Sequence, residues 1–458
     1  MQAISTSSVP GQQADDSQAR LERLSGIAQR LLDGCAARGA TQAEVSCNED
    51  SGLAVNVRMG EVETVEATRD RGIAVTVYFG HRKGSASTAD MRDDSLEATV
   101  AQACAIATFT EADPDAGLAD AELMASTQRE FDSWHPWELD AARAVDIALA
   151  CEQAGRDVDA RIANSDGASV NSNASISVYA NSHGFLGRER GTYHSISCAL
   201  IAGEGDGMQR DSWYDLALAA SDLDSAQAIG RHAAQRTLAR MQPRQLPTGR
   251  VPVLFAAEMA RSLIGSYIGA VSGGALYRKA SFLLDSVGTR VFPEWFGMDE
   301  LPFLPRGLRS ACFDGEGVAT RESPLVRDGV VQHYVLGSYS ARKLGLVTTA
   351  NAGGVHNLQV SANAGDLDAL LHSMGRGLLV TELMGHGVNP ITGDYSRGAA
   401  GFWVEDGHIA YPVDGITIAG NLKQMFTAIE AVGSDIDLRS HIRTGSILVG
   451  HMTVAGTG

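Results

Sequence analysis

The chain has 458 residues, of which 44% are hydrophobic and 20% charged, so it holds enough apolar material for a substantial core and two or three domains. Its formal net charge of −18 would repel a phosphate backbone, and no dense Lys/Arg cluster offsets that charge, which disfavours nucleic-acid binding. No segment approaches the roughly 18 consecutive apolar residues of a membrane span, so we expect no membrane association.

The start of the chain and the cysteines indicate the compartment. The polar N-terminal stretch lacks the basic start and the apolar run of a secretory signal, which predicts a cytoplasmic protein. The cysteines form no C-x-x-C pair and stand among apolar or small residues. We therefore predict that all six are reduced core residues, namely Cys35, Cys47, Cys104, Cys151, Cys198 and Cys312.

The first part of the chain predicts a helix followed by two strands. Residues 1–19 are polar, which predicts a disordered tail. From Leu21 to Leu32, apolar residues recur at helical spacing. The runs 53–59 and 73–79 then alternate with the period of half-buried strands, so we expect a strand pair after the helix.

A second helix is predicted to start near residue 94. Asp94 and Glu97 have the spacing of a capping box in front of an apolar-periodic run. The elements together predict an N-terminal α-β-β-α domain over residues 20–110. The Asp- and Ala-rich stretch 111–125 indicates a linker.

A middle domain is predicted over residues 126–245. It contains a helical pattern at 138–156, two alternating runs within 174–201 around a turn-forming His-Gly pair, and a helical pattern at 224–241. The alternating runs predict a long hairpin. Two prolines shortly after the last helix mark the boundary of the domain.

The remaining part, residues 248–458, is rich in glycine and in short β-type runs separated by turn residues. This pattern predicts a β-rich C-terminal domain with mostly antiparallel strands and few helices. The predicted fold class of the whole chain is therefore α+β.

The motifs of the common hydrolases and nucleotide enzymes are missing, since the chain has no G-x-S-x-G, G-x-x-x-x-G-K-[ST] or H-E-x-x-H. His386 lies in Met-Gly-His-Gly-Val-Asn, where glycines would let a ligand approach, although a turn histidine is the other interpretation. The acidic triplets 314–316 and 405–407 could bind a cation or act in acid–base chemistry, but both are also typical of turns. The second triplet lies between two strand-like runs, which favours a hairpin turn.

Three segments of the C-terminal half carry long and unusual strings, among them SGGALYRKASFLLDSVG at Ser272–Gly288. The segments His386–Phe426 and Val432–Thr457 resemble the C-terminal signature of the TldD/PmbA metalloprotease family. Ser272–Gly288 resembles its PmbA (TldE) branch in particular. The resemblance extends from about residue 20 to the end of the chain.

The resemblance implies a peptidase built from two related subunits. In this family the TldD-type subunit carries an H-E-x-x-x-H zinc motif on a helix, and a cysteine near its C-terminus adds another ligand. Zinc would activate a water molecule for attack on a peptide carbonyl, with the glutamate of the motif as general base. The implied activity is therefore hydrolysis of peptides and of unfolded or small unstable proteins.

This chain departs from the family motif at each ligand position. Glu258 keeps the position of the glutamate, but Ala257 and Ser262 stand at the two histidine positions. The last cysteine of the chain is Cys312, so the third ligand is missing as well. We therefore expect no catalytic residue and no metal in this chain, and we expect zinc in a TldD-type partner.

The resemblance to the PmbA branch predicts a chain that is not catalytic alone and pairs with a TldD-type subunit in a heterodimer. Such a pair needs a large obligate interface and could form a chamber for a polypeptide substrate. The segments 272–279 and 385–394 are our candidates for lining that chamber. Their candidate substrate-binding residues are Arg278, Lys279, His386 and Asn389.

Two other functions stay open. The chain could be a homodimeric, non-enzymatic peptide-binding protein or a modulator of another protein, and a relative with an intact zinc motif in the same genome would argue against this. It could also be a hydrolase whose metal is held by other residues. Candidate ligands for such a site are His386, His356 and either Glu382 or Asp394.

Overall fold

The computed structural model describes residues 16–456. The first helix begins at Ser17, so residues 17–19 of the predicted tail 1–19 are helical, and residues 1–15 lie outside the described residues. The elements of the N-terminal half are α1 (Ser17–Ala37), β1 (Gln42–Arg58), β2 (Glu61–Phe79), β3 (Arg82–Thr88), α2 (Asp93–Phe109), α3 (Ala141–Arg156), β4 (Asn164–Asn181), β5 (Leu186–Ala202), β6 (Gln209–Ala217) and α4 (Ala226–Ala239).

The predicted helix–strand–strand–helix order is confirmed, and the structure adds the short strand β3 between β2 and α2. The predicted capping box is wrong. Helix α2 starts at Asp93, and its N-cap residue Arg92 makes no side-chain cap. The carboxylate of Asp90 instead accepts from Arg92 N at 3.0 Å and from Ser95 Oγ at 2.8 Å, which holds the first turn.

One antiparallel sheet of six strands, in the order β3-β2-β1-β4-β5-β6, organises the N-terminal half. Alternate residues of β1 face the same side, where Val45 and Cys47 pack under α1 and α2, while Val55 and Val57 pack under α3 and α4. Since β1 pairs with β4, the segments predicted as an N-terminal and a middle domain share this sheet. The predicted middle hairpin is confirmed as β4 and β5, with Gly184 in the turn at a φ of 83°.

The C-terminal half is rich in short strands, as predicted, and most of its pairings are antiparallel. Its elements are β7 (Gly249–Phe255), α5 (Ala257–Ala270), α6 (Gly273–Tyr277), β8 (Met298–Glu300), β9 (Ser323–Arg327), β10 (Val330–Val331), α7 (Ser338–Lys343), β11 (Leu358–Val360), α8 (Leu367–Met374), β12 (Gly377–Met384), β13 (Asp394–Glu405), β14 (His408–Asn421), α9 (Leu422–Thr427), β15 (Ile429–Val432), β16 (Ile442–Arg443) and β17 (Ile447–Gly456).

The larger C-terminal sheet has the order β14-β13-β12-β7-β17-β15, and a further pairing of β14 with β17 closes it on itself. Its core is aromatic. The ring of Tyr267 in α5 packs edge-on against Phe292 and Phe426. The predicted turn at 405–407 is confirmed between β13 and β14, where Asp406 and Gly407 have φ values of 50° and 76°. A smaller sheet, β10-β9-β8-β11-β16, packs in the same half.

The cysteines lie in the core, as predicted, except that Cys104 is half-buried. Burial raises the pKa of the Cys35 thiol, and that of Cys47, to about 12, so both remain protonated at neutral pH. Within residues 16–456 all six are free thiols. No helix in this part of the chain is long and apolar enough to cross a membrane.

Candidate functional site

The segment that matches the zinc motif begins α5, directly after the buried C-terminal end of strand β7. Ala256 N donates to Val380 O at 3.0 Å, which fixes the start of the helix against β12. Glu258 lies in the first helical turn, where a carboxylate is favoured by the positive end of the helix dipole. Ala257 is buried, and the Ser262 hydroxyl donates to Met259 O at 2.8 Å. The two histidine positions of the family motif are therefore occupied by an alanine methyl group and by a serine hydroxyl that already donates a hydrogen bond to the backbone of its own helix.

Arginines from the N-terminal half reach across to this helix. The Arg236 guanidinium in α4 donates to Glu258 at 2.9 Å and also lies 3.4 Å from Asp211 of β6. Arg240, the residue that directly follows α4, contacts Glu382 of β12 and lies 3.8 Å from Asp211. The carboxylates beside the former motif are thus neutralised by guanidinium groups.

A second pair of arginines completes the arrangement from the C-terminal side. Arg439 donates to Asp437 at 2.8 Å, and Arg261 of α5 lies 3.7 Å from the same carboxylate. Burial alone would raise the pKa of Asp437, but the hydrogen bonds and the charge of Arg439 outweigh it and lower the pKa. The Arg439 guanidinium also stacks on the Trp213 ring at 3.9 Å and donates to Tyr214 O at 3.0 Å.

We call these residues the arginine–carboxylate network; it consists of Arg236, Arg240, Arg261 and Arg439 with Asp211, Glu258, Glu382 and Asp437. It contains four guanidinium groups and four carboxylates, so its formal charge is zero. All of its residues except Asp437 line a cleft of about 160 Å³ between the two halves of the chain. That volume is below the roughly 300 Å³ or more of a typical ligand pocket.

The donor set of this cleft does not fit the three-ligand zinc site that the family motif describes. No imidazole lies at the motif, and its carboxylates already face guanidinium groups. The His232 ring lies against that of Trp213, with ring centroids 4.1 Å apart, and burial followed by the charges of Arg236 and Arg439 lowers its pKa. Among residues 16–456, no group of three or more His, Cys, Asp or Glu side chains is placed to hold a metal ion.

The predicted substrate-binding residues lie in two segments that contact each other. Phe282 N donates to Pro390 O at 2.9 Å, which joins the loop after α6 to the loop between β12 and β13. Arg278 lies at the end of α6 with its guanidinium 5.3 Å from the Tyr277 ring, and the next residue, Lys279, has a φ of 56°.

The other two predicted residues lie in the loop between β12 and β13. His386 is exposed. The Asn389 side chain accepts from Ile391 N at 2.9 Å and shapes the turn. The structure thus places the four residues on adjoining loops, and their part in substrate binding remains a prediction.

The residues of the alternative metal site have separate partners. The buried His356 bonds to Glu300 through Nδ1 at 2.9 Å. Glu382 contacts Arg240, whereas Asp394 accepts from Thr392 Oγ1 at 2.7 Å and from the Asn421 amide at 3.1 Å. His386 is on the exposed loop, so the structure does not bring these four residues together.

The acidic triplet 314–316 forms a turn with a structural function. The Asp314 carboxylate accepts from the backbone N–H groups of Glu316, Val318 and Ala352 at 2.9 to 3.0 Å. Burial raises its pKa to about 6. Glu316 accepts from Ser338 N at 2.8 Å. Both carboxylates are used to hold loops of the C-terminal half together.

The sequence did not point to Arg236, Arg240, Arg439 or Trp213. One signal was available, because Arg236 and Arg240 stand four residues apart in the helical pattern predicted at 224–241, a spacing that places both on one face. The contacts of that face depend on how the C-terminal half packs against the helix, and no local sequence pattern encodes that packing.

Comparison with known proteins identifies relatives across almost the whole chain. Three family models match, described as PmbA/TldA metallopeptidase domain 1 at residues 43–107, central domain at 134–241 and C-terminal domain at 248–456. The chain is 47% identical over 414 residues to the metalloprotease PmbA of Escherichia coli O157:H7, which covers 90% of this chain and 92% of that protein.

Solved structures share the fold. A crystal structure from Bacteroides thetaiotaomicron, of a protein proposed to modulate DNA gyrase, has a TM-score of 0.89 at 25% identity and covers 94% of this chain and 98% of that one. TldE from Thermococcus kodakarensis has a TM-score of 0.81 at 20% identity, covering 94% of this chain and all of that one. At 20% identity, the similarity to TldE from Thermococcus kodakarensis concerns the fold alone.

Proposed function

This chain belongs to the PmbA/TldD family of metallopeptidases, in its PmbA (TldE) branch, and we propose that it is the zinc-free subunit of a two-chain metalloprotease. Its partner would be a TldD-type relative that carries the zinc and the general base. The substrates would be peptides and unfolded or small unstable proteins, and the compartment the cytoplasm.

The observation that carries the proposal is the arginine–carboxylate network at the position of the zinc motif. A metal-bound water needs protein ligands that hold the ion and a base that is free to take a proton. Here the Glu258 carboxylate accepts from the Arg236 guanidinium at 2.9 Å in an ion pair, and Ala257 and Ser262, at the two histidine positions of the motif, offer no imidazole. These ion pairs support a structural role for the network, which joins the two halves of the chain at this cleft.

In this proposal the chain contributes a binding surface to the proteolytic complex and carries out no chemical step itself. The adjoining loops around Arg278 and His386 present polar groups beside exposed apolar side chains, namely Leu284 and Ile391, which are 41% and 60% exposed. A surface of this composition suits an extended polypeptide or a partner subunit, since both need apolar contact and backbone hydrogen bonds. We propose that these loops border the chamber that the two subunits form.

The proposal is tested by titrating this chain into a fixed amount of the TldD-type relative from the same genome while peptide cleavage is measured. We expect the rate to rise and then level off at a fixed molar ratio, because only the complex is competent. The variant His386→Ala is expected to weaken cleavage if the loop borders the chamber. His183→Ala, at the exposed β4–β5 turn, is the matched control and should behave like the unmodified chain.

A rate that is independent of the added chain would contradict the proposal and favour the peptide-binding or modulator function. A rise in rate with equal effects of both histidine variants would support the subunit function but remove the loop from the chamber.

A further inference from the structure

A cavity of about 630 Å³ lies on the larger C-terminal sheet, and it shares no lining residue with the cleft of the arginine–carboxylate network. Residues 450–453 of β17 form its floor, while the start of β7 borders one side, and α9 with the start of β15 borders the other. Its volume is within the roughly 300 to 1,000 Å³ of pockets that bind small molecules. This cavity is therefore large enough for a ligand, whereas the cleft at the former zinc motif is not.

The floor of the cavity is open because the local sequence removes side chains from it. Between Val449 and Met452 the register of β17 against β7 shifts, so that Gly450 and His451 together stand opposite one residue. A Cβ atom at Gly450 would collide with the carboxylate of Glu430, which also borders the cavity. A glycine inside a strand often marks a place where a ligand approaches the backbone closely.

Two opposite charges stand on the two sides of this floor. Strand β17 lies between β7 and β15; Arg250 of β7 pairs with Thr453, and Glu430 of β15 lies beside Gly450. Strand spacing and this offset along β17 place the Cα atoms of the two charged residues roughly 15 Å apart. Both residues are exposed, and neither forms an ion pair with another residue of 16–456. The cavity therefore presents a cation on one side and an anion on the other, each available to a ligand.

Polar groups also line the space between the two charges. His451 and Thr453 project from the floor as exposed residues, and Gln424 and Thr427 border it from α9. Imidazole, amide and hydroxyl groups can donate and accept hydrogen bonds, as the N–H and C=O groups of a peptide do. The lining thus suits a ligand with a positive end, a negative end and peptide groups between them.

The arrangement of charges distinguishes among classes of small ligand. A phosphate or a nucleotide would be attracted by Arg250 but repelled by Glu430. A free amino acid carries both charges on one carbon atom and leaves the polar groups between the walls unused. An extended chain rises by about 3.3 Å per residue, so three residues place their terminal charges on the order of 10 Å apart. That length suits walls at this separation whose side chains reach inward.

We propose that this cavity binds short peptides of about three residues with free ends, with Arg250 holding the terminal carboxylate and Glu430 the terminal ammonium group. The inference goes beyond the proposed function and does not rest on it. The cavity lies apart from the arginine–carboxylate network and from the loops around Arg278 and His386, and its test needs no partner subunit.

The test is a calorimetric titration of the purified full chain with trialanine, acetyl-trialanine, trialanine amide and alanine. We expect trialanine to bind, and we expect each capped peptide to bind about tenfold or more weakly, because each cap removes one charge-assisted hydrogen bond. Alanine should also bind about tenfold or more weakly, because it uses fewer of the polar groups.

Charge variants assign each end of the peptide to one wall. Arg250→Gln should weaken the binding of trialanine by about tenfold or more but change that of trialanine amide by less than about twofold, since the amide has no carboxylate to lose. Glu430→Gln should act in the same way on trialanine and acetyl-trialanine. Thr453→Trp fills the cavity without changing a charge and should abolish binding of every peptide.

The matched controls are Arg321→Gln and Glu322→Gln, which remove the same charges at exposed positions outside the cavity. Both should bind trialanine like the unmodified chain. No binding at millimolar trialanine, or an affinity that neither the caps nor the Arg250 and Glu430 variants change, would overturn the proposal. Alanine that binds as tightly as trialanine would overturn the assignment of the cavity to peptides.

Discussion

Replacing Arg439 with alanine is expected to lower the free energy of unfolding by about 3 to 5 kcal/mol, because it leaves Asp437 as a buried charge whose main partner is gone. The Asp437 side chain is only 4% exposed and the Arg439 side chain 14%. The change also removes the stacking on Trp213 and the hydrogen bond to Tyr214 O. Urea unfolding at pH 7 measures the effect, as a shift of the transition midpoint at unchanged slope.

Two controls separate this effect from the loss of any arginine. Arg30 pairs with Asp93 at 3.0 Å on the surface, and both side chains are more than half exposed, so Arg30→Ala should cost less than about 1 kcal/mol. The double variant D437N/R439M removes both charges together, and its loss should be smaller than that of Arg439→Ala. A loss as small for Arg439→Ala as for Arg30→Ala would mean that the network does not hold the two halves together.

The second large effect is expected in a comparison between the two subunits. Glu258→Gln in this chain should leave the cleavage rate of the mixed proteins within about twofold, since Glu258 is paired with Arg236 and, under the proposed function, would have no metal-bound water to activate. The same exchange at the glutamate of the H-E-x-x-x-H motif in the TldD-type relative should lower the rate by about a hundredfold or more, because general base catalysis typically contributes that much.

The comparison is made with both variants folded, as judged by circular dichroism, because Glu258→Gln also weakens an ion pair. Equal losses in the two subunits would show that Glu258 acts in the reaction, and the assignment of the base to the partner would then be wrong.

The elements of the chain could be predicted where their signal is local. The helical spacing from Leu21 to Leu32 and the alternation in β1, β2, β4 and β5 report burial on one face, and the structure confirms the helix and the strands. The short strand β3 was missed, since Arg82–Thr88 buries only Gly84 fully and shows little apolar alternation. The capping box was wrong because α2 already begins at Asp93, so Asp94 lies inside the helix, and the side chain that holds its start from outside is that of Asp90.

The pairing of distant segments could not be predicted. The sheet joins β1 to β4 across more than a hundred residues, and alternation within each strand does not say which strand lies beside it.

The contacts within the candidate site could not be predicted either, for the same reason. The sequence and its family resemblance identified Ala257, Glu258 and Ser262, but the arginines that meet Glu258 and Asp437 come from α4 and from a C-terminal loop. Only the packing of the two halves brings these groups together.

The central claim is that this chain carries no catalytic zinc, and the most direct test is the zinc content of the purified chain after incubation with zinc and removal of unbound metal, together with its peptide cleavage. We predict well below one zinc ion per chain and no cleavage until the TldD-type relative is added. One zinc ion per chain with cleavage by the chain alone would contradict the account, and the interpretation of Ala257, Ser262 and the arginine–carboxylate network would have to be abandoned.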